Sequence, residues 1–299
     1  MISVCIPIYN FDVRILVTEI YKQIKTYEPE SEIILIDDAS DSDFREKNSE
    51  LKSKSIFIQL HENIGRAKIR NLFLQYAQNE YLLFIDCDSI ISNDYFILNY
   101  TSFIKKHNPF VVCGGREYSK IKPVHKKLLR WKYGLLIESK SSDERGLNPY
   151  KSFMTNNFLI KKDIFNIVKF DERLTNYGHE DTLFGYCLYK KEIIINHIEN
   201  PIVNGDIEDN DIFLKKTEDG IVNLIKISRF VELDKQFVEN INLLKYFNKC
   251  KKWHFKTMIY IVFCFFKFPI KFFLLKGIVN IQFFNFYKLG FLISKYDKV

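Results

Sequence analysis

The 299-residue sequence has six cysteines, Cys5, Cys87, Cys113, Cys187, Cys250 and Cys264, and no two of them form a C-x-x-C pair. Their scatter excludes a zinc-ribbon spacing, offers no disulfide framework and suits a reducing compartment. The first residues, Met1-Ile2-Ser3-Val4-Cys5, lack a basic stretch followed by a cleavable apolar segment. A cytoplasmic start is therefore expected. No internal repeat is present. A nucleic-acid partner is not expected either, despite a net charge of +7. From Lys245 to Val299 there are eleven lysines and one acid, Asp297, so this stretch carries +10 and the preceding residues sum to −3.

With 47% apolar residues the chain can bury one large α/β domain and an appendage. Val4 to Asn10 is an apolar run ended by turn formers, and Val13, Leu16, Val17, Ile20 and Ile24 then recur at helical spacing. Ile33 to Asp38 reads as a second strand closed by two carboxylates and a loop, and Ile56 to Leu60 as a third. Asn63-Ile64-Gly65-Arg66 opens a helix with Ile69, Leu72, Phe73 and Tyr76 on one face. Tyr81 to Ile85 is a fourth strand running into Asp86. Alternating strands and helices predict a mostly parallel sheet flanked by helices, with ligands beyond the carboxyl ends of the strands. After Asp88 the spacing predicts a helix over Asp94–Lys106 and strands near Phe110–Cys113 and Met154–Ile160. Between them, Lys120 to Tyr150 is expected to hold a helix around Lys126–Ile137 and to act as a cover. The strongest linker signal lies at Asn204–Asp211.

Four short constellations can carry chemistry, and each has a plainer alternative. Asp86 and Asp88, two residues apart beyond a strand, can converge on Mg²⁺ or Mn²⁺, or Asp86 can cap the next helix while Asp88 is solvated. Asp37-Asp38 can accept hydrogen bonds from a base or ribose, or form an Asx turn. Arg66 and Arg70 lie near a helix N-terminus that favours anions, or belong to a solvated basic face. Glu180-Asp181 can supply a general base, or simply complement a helix dipole.

In this order the pieces resemble a family 2 glycosyltransferase of the GT-A fold. The matching residues are Val4-Cys5-Ile6-Pro7-Ile8-Tyr9-Asn10, Ile33 to Ser40, Asn63 to Asn71, Phe84-Ile85-Asp86-Cys87-Asp88 and Gly178-His179-Glu180-Asp181. The resemblance covers residues 1–218. It implies a nucleotide-binding half at 1–113 and an acceptor-binding half at 114–218, with 219–299 a helical basic-aromatic extension.

By the resemblance, Pro7, Tyr9 and Asn10 line the nucleotide pocket, Asp38 contacts the base, and Arg66 and Arg70 position the nucleotide. Asp88 is a metal ligand, with Asp86 beside the donor sugar and ribose and sharing the metal. Asp181 is the catalytic base, with Glu180 its neighbour, and Thr155, Asn156 and Asn157 face the acceptor. The implied reaction is an inverting, metal-dependent transfer from a nucleotide-sugar, such as a UDP-sugar, to a saccharide or lipid-linked saccharide, in polysaccharide or glycoconjugate synthesis. Relatives often carry a further metal-binding His, where this sequence has Asn204; His197 is a possible substitute.

Competing readings are a haloacid-dehalogenase-type sugar phosphatase, whose D-x-D strand comes first in the chain, and a non-catalytic nucleotide-binding membrane scaffold. A sugar nucleotidyltransferase would need an N-terminal glycine-rich loop that is missing. The tail from Trp253 to Tyr296 mixes aromatic and aliphatic clusters with Lys256, Lys267, Lys271, Lys276 and Lys288. Its longest uncharged run, Thr257–Phe266, falls short of the ~20 residues a bilayer span needs. The tail is expected to lie on a membrane, placing the protein at the inner face; packing on the core or on a partner chain is the alternative.

Overall fold

A computed structural model describes residues 1–174, 177–251 and 255–298; Trp253, at the start of the aromatic tail, lies outside the described residues, as does Val299. In chain order the first elements are β1 (Ile2–Ile8), α1 (Arg14–Tyr27), β2 (Glu32–Asp37), α2 (Ser42–Ser49), β3 (Ile56–Gln59), α3 (Arg66–Tyr76) and β4 (Tyr81–Ile85). Then follow β5 (Ser89–Ile90), α4 (Phe96–His107), β6 (Val111–Cys113), β7 (Arg116–Glu117), α5 (Leu128–Tyr133), α6 (Ser142–Gly146), β8 (Asn157–Lys161) and α7 (Lys162–Ile167). The chain continues through α8 (Glu180–Lys190), β9 (Ile195–His197), β10 (Ile202–Asn204) and α9 (Asn210–Phe230). It ends with α10 (Lys235–Asn240), α11 (Asn242–Lys251), α12 (Phe255–Leu275) and α13 (Ile281–Tyr296). Two compact units result: Met1–Tyr118 with Ser139–Thr175 and Phe184–Asp206, and Ser119–Glu138 with Asn176–Leu183 and Ile207–Val299.

The first unit is built on a seven-stranded sheet in the order β3-β2-β1-β4-β8-β6-β9, with a three-stranded sheet β5-β10-β7. β1 runs parallel to β2 and β4, β2 to β3, and β6 to β9, while β8 is antiparallel to β4 and β6. Alternation along the strands explains why both faces are covered. Val4, Ile6 and Ile8 of β1 pack with Leu16, Val17, Ile20 and Ile24 of α1 in one buried cluster. Cys5 packs on the other face with Ile34, Ile36, Phe84 and α3 residues Ala67, Ile69 and Phe73.

The β1–β4 ladder stops at Cys5↔Phe84, two residues before Pro7, which has no N–H to donate. β1 continues beside β2 to Ile8↔Asp37. The strand order reverses between β1 and β4, so a crevice opens where these two strands part.

The second unit is helical. Asn210, 2% exposed, joins three of its segments: its Oδ1 accepts from Leu129 N at 2.9 Å, and its Nδ2 donates to the carbonyls of His125 and Leu275 at 2.9 and 3.0 Å. Residues 126–137 form a 3₁₀ turn, α5 and a π-helical turn at Gly134–Glu138 in place of one continuous helix. The tail departs from expectation in two ways. Lys256, Lys267 and Lys271 interrupt the apolar run in sequence without interrupting α12, whose 21 residues are long and apolar enough to cross a membrane by length and composition. Lys288 does not point to open solvent: its Nζ lies 4.9 Å from the ring centroids of both Tyr133 and Phe284.

Candidate functional site

The turn after β4 carries Asp86, Cys87 and Asp88. Asp86 N–H donates to the Asn156 carbonyl at 3.1 Å, and the Asp86 carbonyl accepts from Ser89 N at 3.1 Å, so the backbone turns tightly through Cys87 and Asp88. Arg70, 3% exposed, projects from α3 and donates from Nη2 to Asp86 Oδ1 at 2.9 Å. Its guanidinium also stacks 5.6 Å from the Phe170 ring. Burial alone would raise the Asp86 carboxyl; Arg70, Arg66 and Arg116 outweigh it and hold the carboxyl below its usual range. Asp88 goes the other way. Burial and then the charge of Asp86 push it up, against Arg116 and a hydrogen bond from Asn204 Nδ2 to Asp88 Oδ2 at 2.9 Å. Gly205 N–H donates to the Asp88 carbonyl at 2.8 Å, and a Cβ at Gly205 would stand 2.8 Å from that same oxygen. The β10 end therefore approaches Asp88 as closely as a residue without a side chain permits.

Around this turn, buried polar atoms lack partners: Arg70 Nε, Ser89 Oγ, Asn156 Nδ2 and Asn204 Oδ1. Folded proteins leave few such atoms, and a ligand oxygen, an ion or a water is one way in which they are satisfied. A divalent metal is implied by the resemblance, and this donor set fits one. Mg²⁺ and Mn²⁺ take hard oxygen donors, and Asp88, the unpartnered Asn204 amide oxygen and Ser89 Oγ are of that kind. Among the described residues no group of three or more His, Cys, Asp or Glu side chains is arranged to hold a metal. One or two carboxylates suffice when substrate phosphates complete the coordination.

Along the crevice, Asp38 is occupied by backbone: its Oδ1 accepts from Ile64 N at 2.7 Å and its Oδ2 from Gly65 N at 3.1 Å. Burial raises its carboxyl, against those two hydrogen bonds. Asp38 thus fixes the loop that starts α3, and with it the direction of Arg66. Asp37, fully buried, accepts from Ser40 N at 2.8 Å. Asn10 takes the left-handed conformation (φ 49°) at the end of β1. Its N–H donates to Ser40 Oγ and its Oδ1 accepts from Asp41 N, both at 2.8 Å. The β1 and β2 loops are thereby tied together, with Tyr9 54% exposed and Pro7 half-buried at the end of β1.

Thr155, Asn156 and Asn157 enter β8 beside this turn, but they are not equivalent. Asn157, 1% exposed, accepts from Tyr100 Oη at 2.7 Å and donates to the carbonyls of Gly115 and Asn200, both at 2.9 Å. Its amide is committed to joining strands, so of the three residues expected to face an acceptor it acts as a strut. His197 is likewise occupied: Nδ1 lies 3.1 Å from Arg145 Nη1 and Nε2 3.1 Å from the Pro149 carbonyl. Burial lowers its pKa to about 4, assisted by Arg145 against the Pro149 contact. Both ring nitrogens have protein partners, so neither is turned to the Asp86–Asp88 turn as the substitute metal ligand expected from the sequence. Arg116 and Arg145 had no motif to mark them. Arg116 acts on both Asp86 and Asp88, and Arg145, 1% exposed, donates to the Cys113, Gly114 and Ile198 carbonyls at 3.1, 3.1 and 2.8 Å. The Gly114-Gly115-Arg116 step after a strand was the available signal.

Glu180 and Asp181 open α8 and belong to the second unit. Asp181 Oδ1 accepts from Thr182 N at 2.7 Å, and His179 Nδ1 lies 3.1 Å from Thr182 Oγ1. Gly178 (φ 98°) and His179 (φ 67°) are both left-handed, which turns the chain sharply into the acid pair. Within this unit Asp181 raises Tyr133, though burial and Glu138 do so more, taking the phenol to about 12. Lys288 is lowered to about 8 by burial, against Glu138.

Residues 3–169 match the model of Glycosyl transferase family 2. An uncharacterized glycosyltransferase, YfnE, of Bacillus subtilis is 25% identical over 255 residues, covering 67% of this chain and 65% of its own length. The chain thus spans just under two thirds of that relative. Among solved structures, the mannosyltransferase PcManGT from Pyrobaculum calidifontis in complex with GDP-Man and Mn²⁺ superimposes with TM-score 0.56 at 10% identity, covering 100% of this chain and 88% of that one. S. aureus TarS 1-349 in complex with UDP gives 0.52 at 17% identity, over 99% and 91%. At such identities these likenesses speak for the fold alone. With the family model spanning more than half of the sequence, this chain belongs to glycosyl transferase family 2 and has the GT-A fold.

Proposed function

We propose that the protein transfers a sugar from a nucleoside-diphosphate sugar to a hydroxyl of a saccharide or lipid-linked saccharide, with inversion at the anomeric carbon and with a divalent metal. The observation that carries this reading is the Asp86–Asp88 turn at the switch point of the sheet, with unpartnered polar atoms on Arg70, Ser89, Asn156 and Asn204. Family membership supports it, as do the UDP bound by TarS and the GDP-Man and Mn²⁺ bound by PcManGT.

On this reading Pro7, Tyr9, Asn10 and the Asp38-anchored loop line the base and ribose, while Arg66 and Arg70 orient the diphosphate. Asp88, with Asp86 and Asn204, would hold the metal, which when bound neutralises charge developing on the departing diphosphate. Asp181 takes the acceptor hydroxyl's proton as the new C–O bond forms and the bond to the diphosphate breaks, with Glu180 beside it. Thr155 and Asn156 face the sugars. The extension beyond residue 218 brings the enzyme to the inner face of a membrane, as required of an enzyme extending a lipid-linked polysaccharide or glycoconjugate precursor.

Screening nucleotide-sugars for metal-dependent transfer and hydrolysis tests this. Release of inorganic phosphate from sugar phosphates, without nucleotide-sugar turnover, would indicate a phosphatase. Nucleotide-sugar binding without turnover would indicate a scaffold.

A further inference from the structure

Within the second unit, α12 has two chemically opposite sides. Met258, Ile261, Phe265, Phe268 and Phe272 recur at spacings of three and four along one side, and all are exposed, Phe265 by 77% and Phe268 by 75%. None of the lysines of α12 falls on this stripe. At about 100° per residue, Lys256 and Lys267 lie nearly opposite Phe265 and Lys271 well to the side.

The opposite side is held by specific contacts. Phe263, 2% exposed, stacks edge-on against Tyr287 of α13 at 5.6 Å, where Gly290 lets the helices approach. Lys256 Nζ pairs with Asp297 at 2.8 Å and Lys271 Nζ with Glu218 at 3.2 Å; Glu218 also accepts from Tyr287 Oη.

We propose that α12 lies in the plane of an anionic membrane, with the Met258–Phe272 face in the outer acyl layer, and does not cross the bilayer. This rests on the reading that the extension binds membrane, and it specifies the surface and its orientation. Length alone permits a span, but two features oppose one. Crossing would carry Lys267 and Lys271 to hydrocarbon depth. It would also break the Lys256–Asp297 and Lys271–Glu218 pairs or submerge Asp297 and Glu218 with α12. In-plane burial needs neither: the stripe enters lipid to about 5–10 Å, Lys256 and Lys271 keep their partners Asp297 and Glu218, and Lys267, whose Nζ lies 5.9 Å from the Phe268 ring centroid, stays at headgroup depth.

Charge complementarity selects lipid over a second copy of the chain. Eleven lysines against one acid beyond residue 244 would repel across a dimer of two such faces, whereas anionic headgroups attract them.

The full-length protein is floated with vesicles of phosphatidylcholine alone or with about a third phosphatidylglycerol. Wild type is expected to float with the anionic vesicles, and F265E/F268E to lose about tenfold of that binding. Both positions are exposed, so melting temperature and nucleotide-sugar hydrolysis are expected to stay unchanged. Three single variants, M258W, F265W and F272W, then report depth as bromolipid quenching above the parent. Equal, shallow quenching at all three is the in-plane result; much deeper quenching at 265 than at 258 and 272 means a span and overturns the proposal. A vesicle-free dimer that F265E/F268E splits, with no flotation, overturns it in favour of a second copy. If wild type floats with neither vesicle, the membrane reading itself fails. If F265E/F268E floats like wild type, this face is wrong while the membrane reading stands.

Discussion

Asn204 at the end of β10 donates from Nδ2 to Asp88 Oδ2 at 2.9 Å, while its own amide oxygen has no partner. Asn204, the position where the family resemblance implies a further metal ligand, thus touches the carboxylate expected to hold the metal. A neutral amide can orient Asp88 and offer one oxygen, but it contributes less than an imidazole to a transition metal. Asn204→Leu and Asp88→Ala are each expected to weaken Mn²⁺-dependent UDP binding by calorimetry. Because they act on one site, the double variant should fall short of additivity by about 0.5–3 kcal/mol. Strict additivity would separate Asn204 from the site.

Arg70 and Asp86 form the buried ion pair of this site at 2.9 Å, with side chains 3% and 25% exposed. Arg70→Ala removes the cation that contributes most to keeping Asp86 ionised and leaves a partly buried carboxylate short of a partner. The expected cost in urea unfolding is about 2–3 kcal/mol, below the range for a fully buried pair because Asp86 retains some solvent. In the Asp86→Asn background the same change should cost less. Equal costs in both backgrounds would mean that the pair is not coupled.

His197 makes a pH prediction with a definite sign. Its pKa falls from 6.5 unfolded to about 4 folded, so the unfolded state binds the extra proton between those values. Stability contributed by the neutral ring is present above pH 6.5 and lost as pH falls through about 4, an effect of a few kcal/mol. Comparing urea midpoints from pH 7 downwards, His197→Gln should show a shallower acid loss by about one proton. Parallel profiles would contradict the assignment.

Two glycines at one contact should respond with opposite signs. Gly178 has φ 98° and a Cβ there would lie 2.9 Å from Gly220 Cα, so Gly178→Ala is expected to cost about 1–3 kcal/mol and to slow turnover by disturbing the turn into Asp181. Gly220 is mid-helix in α9, where a Cβ would meet its nearest atom at 3.9 Å. Gly220→Ala should stabilise by about 0.5–1 kcal/mol. Thermal melts of both variants decide it.

The sheet was legible where burial follows period. Val4–Ile8, Ile33–Asp37 and Tyr81–Ile85 form strands because they are apolar on both faces, and α1 follows the spacing of Leu16, Val17, Ile20 and Ile24. α2 was not legible, since Ser42–Ser49 has no apolar face. A polar anchor fixes it: buried Asn48 accepts from Val13 N at 3.0 Å and donates to the Phe11 carbonyl at 2.8 Å. The same limit hid the strut role of Asn157 and the carbonyl-binding role of Arg145, because buried polar partners leave no periodic signal. The packing of residues 119–138 with the C-terminal helices was hidden for another reason. It depends on long-range contacts such as Asn210 to His125 and Leu275.

The most direct measurement of the central claim is sugar transfer from a panel of nucleotide-sugars with Mn²⁺, run on wild type, Asp88→Ala and Asp181→Asn. The account predicts turnover by wild type, loss of both donor binding and turnover in Asp88→Ala, and intact donor binding with about 10²–10⁴-fold slower transfer in Asp181→Asn. Wild-type turnover that both variants retain would contradict it.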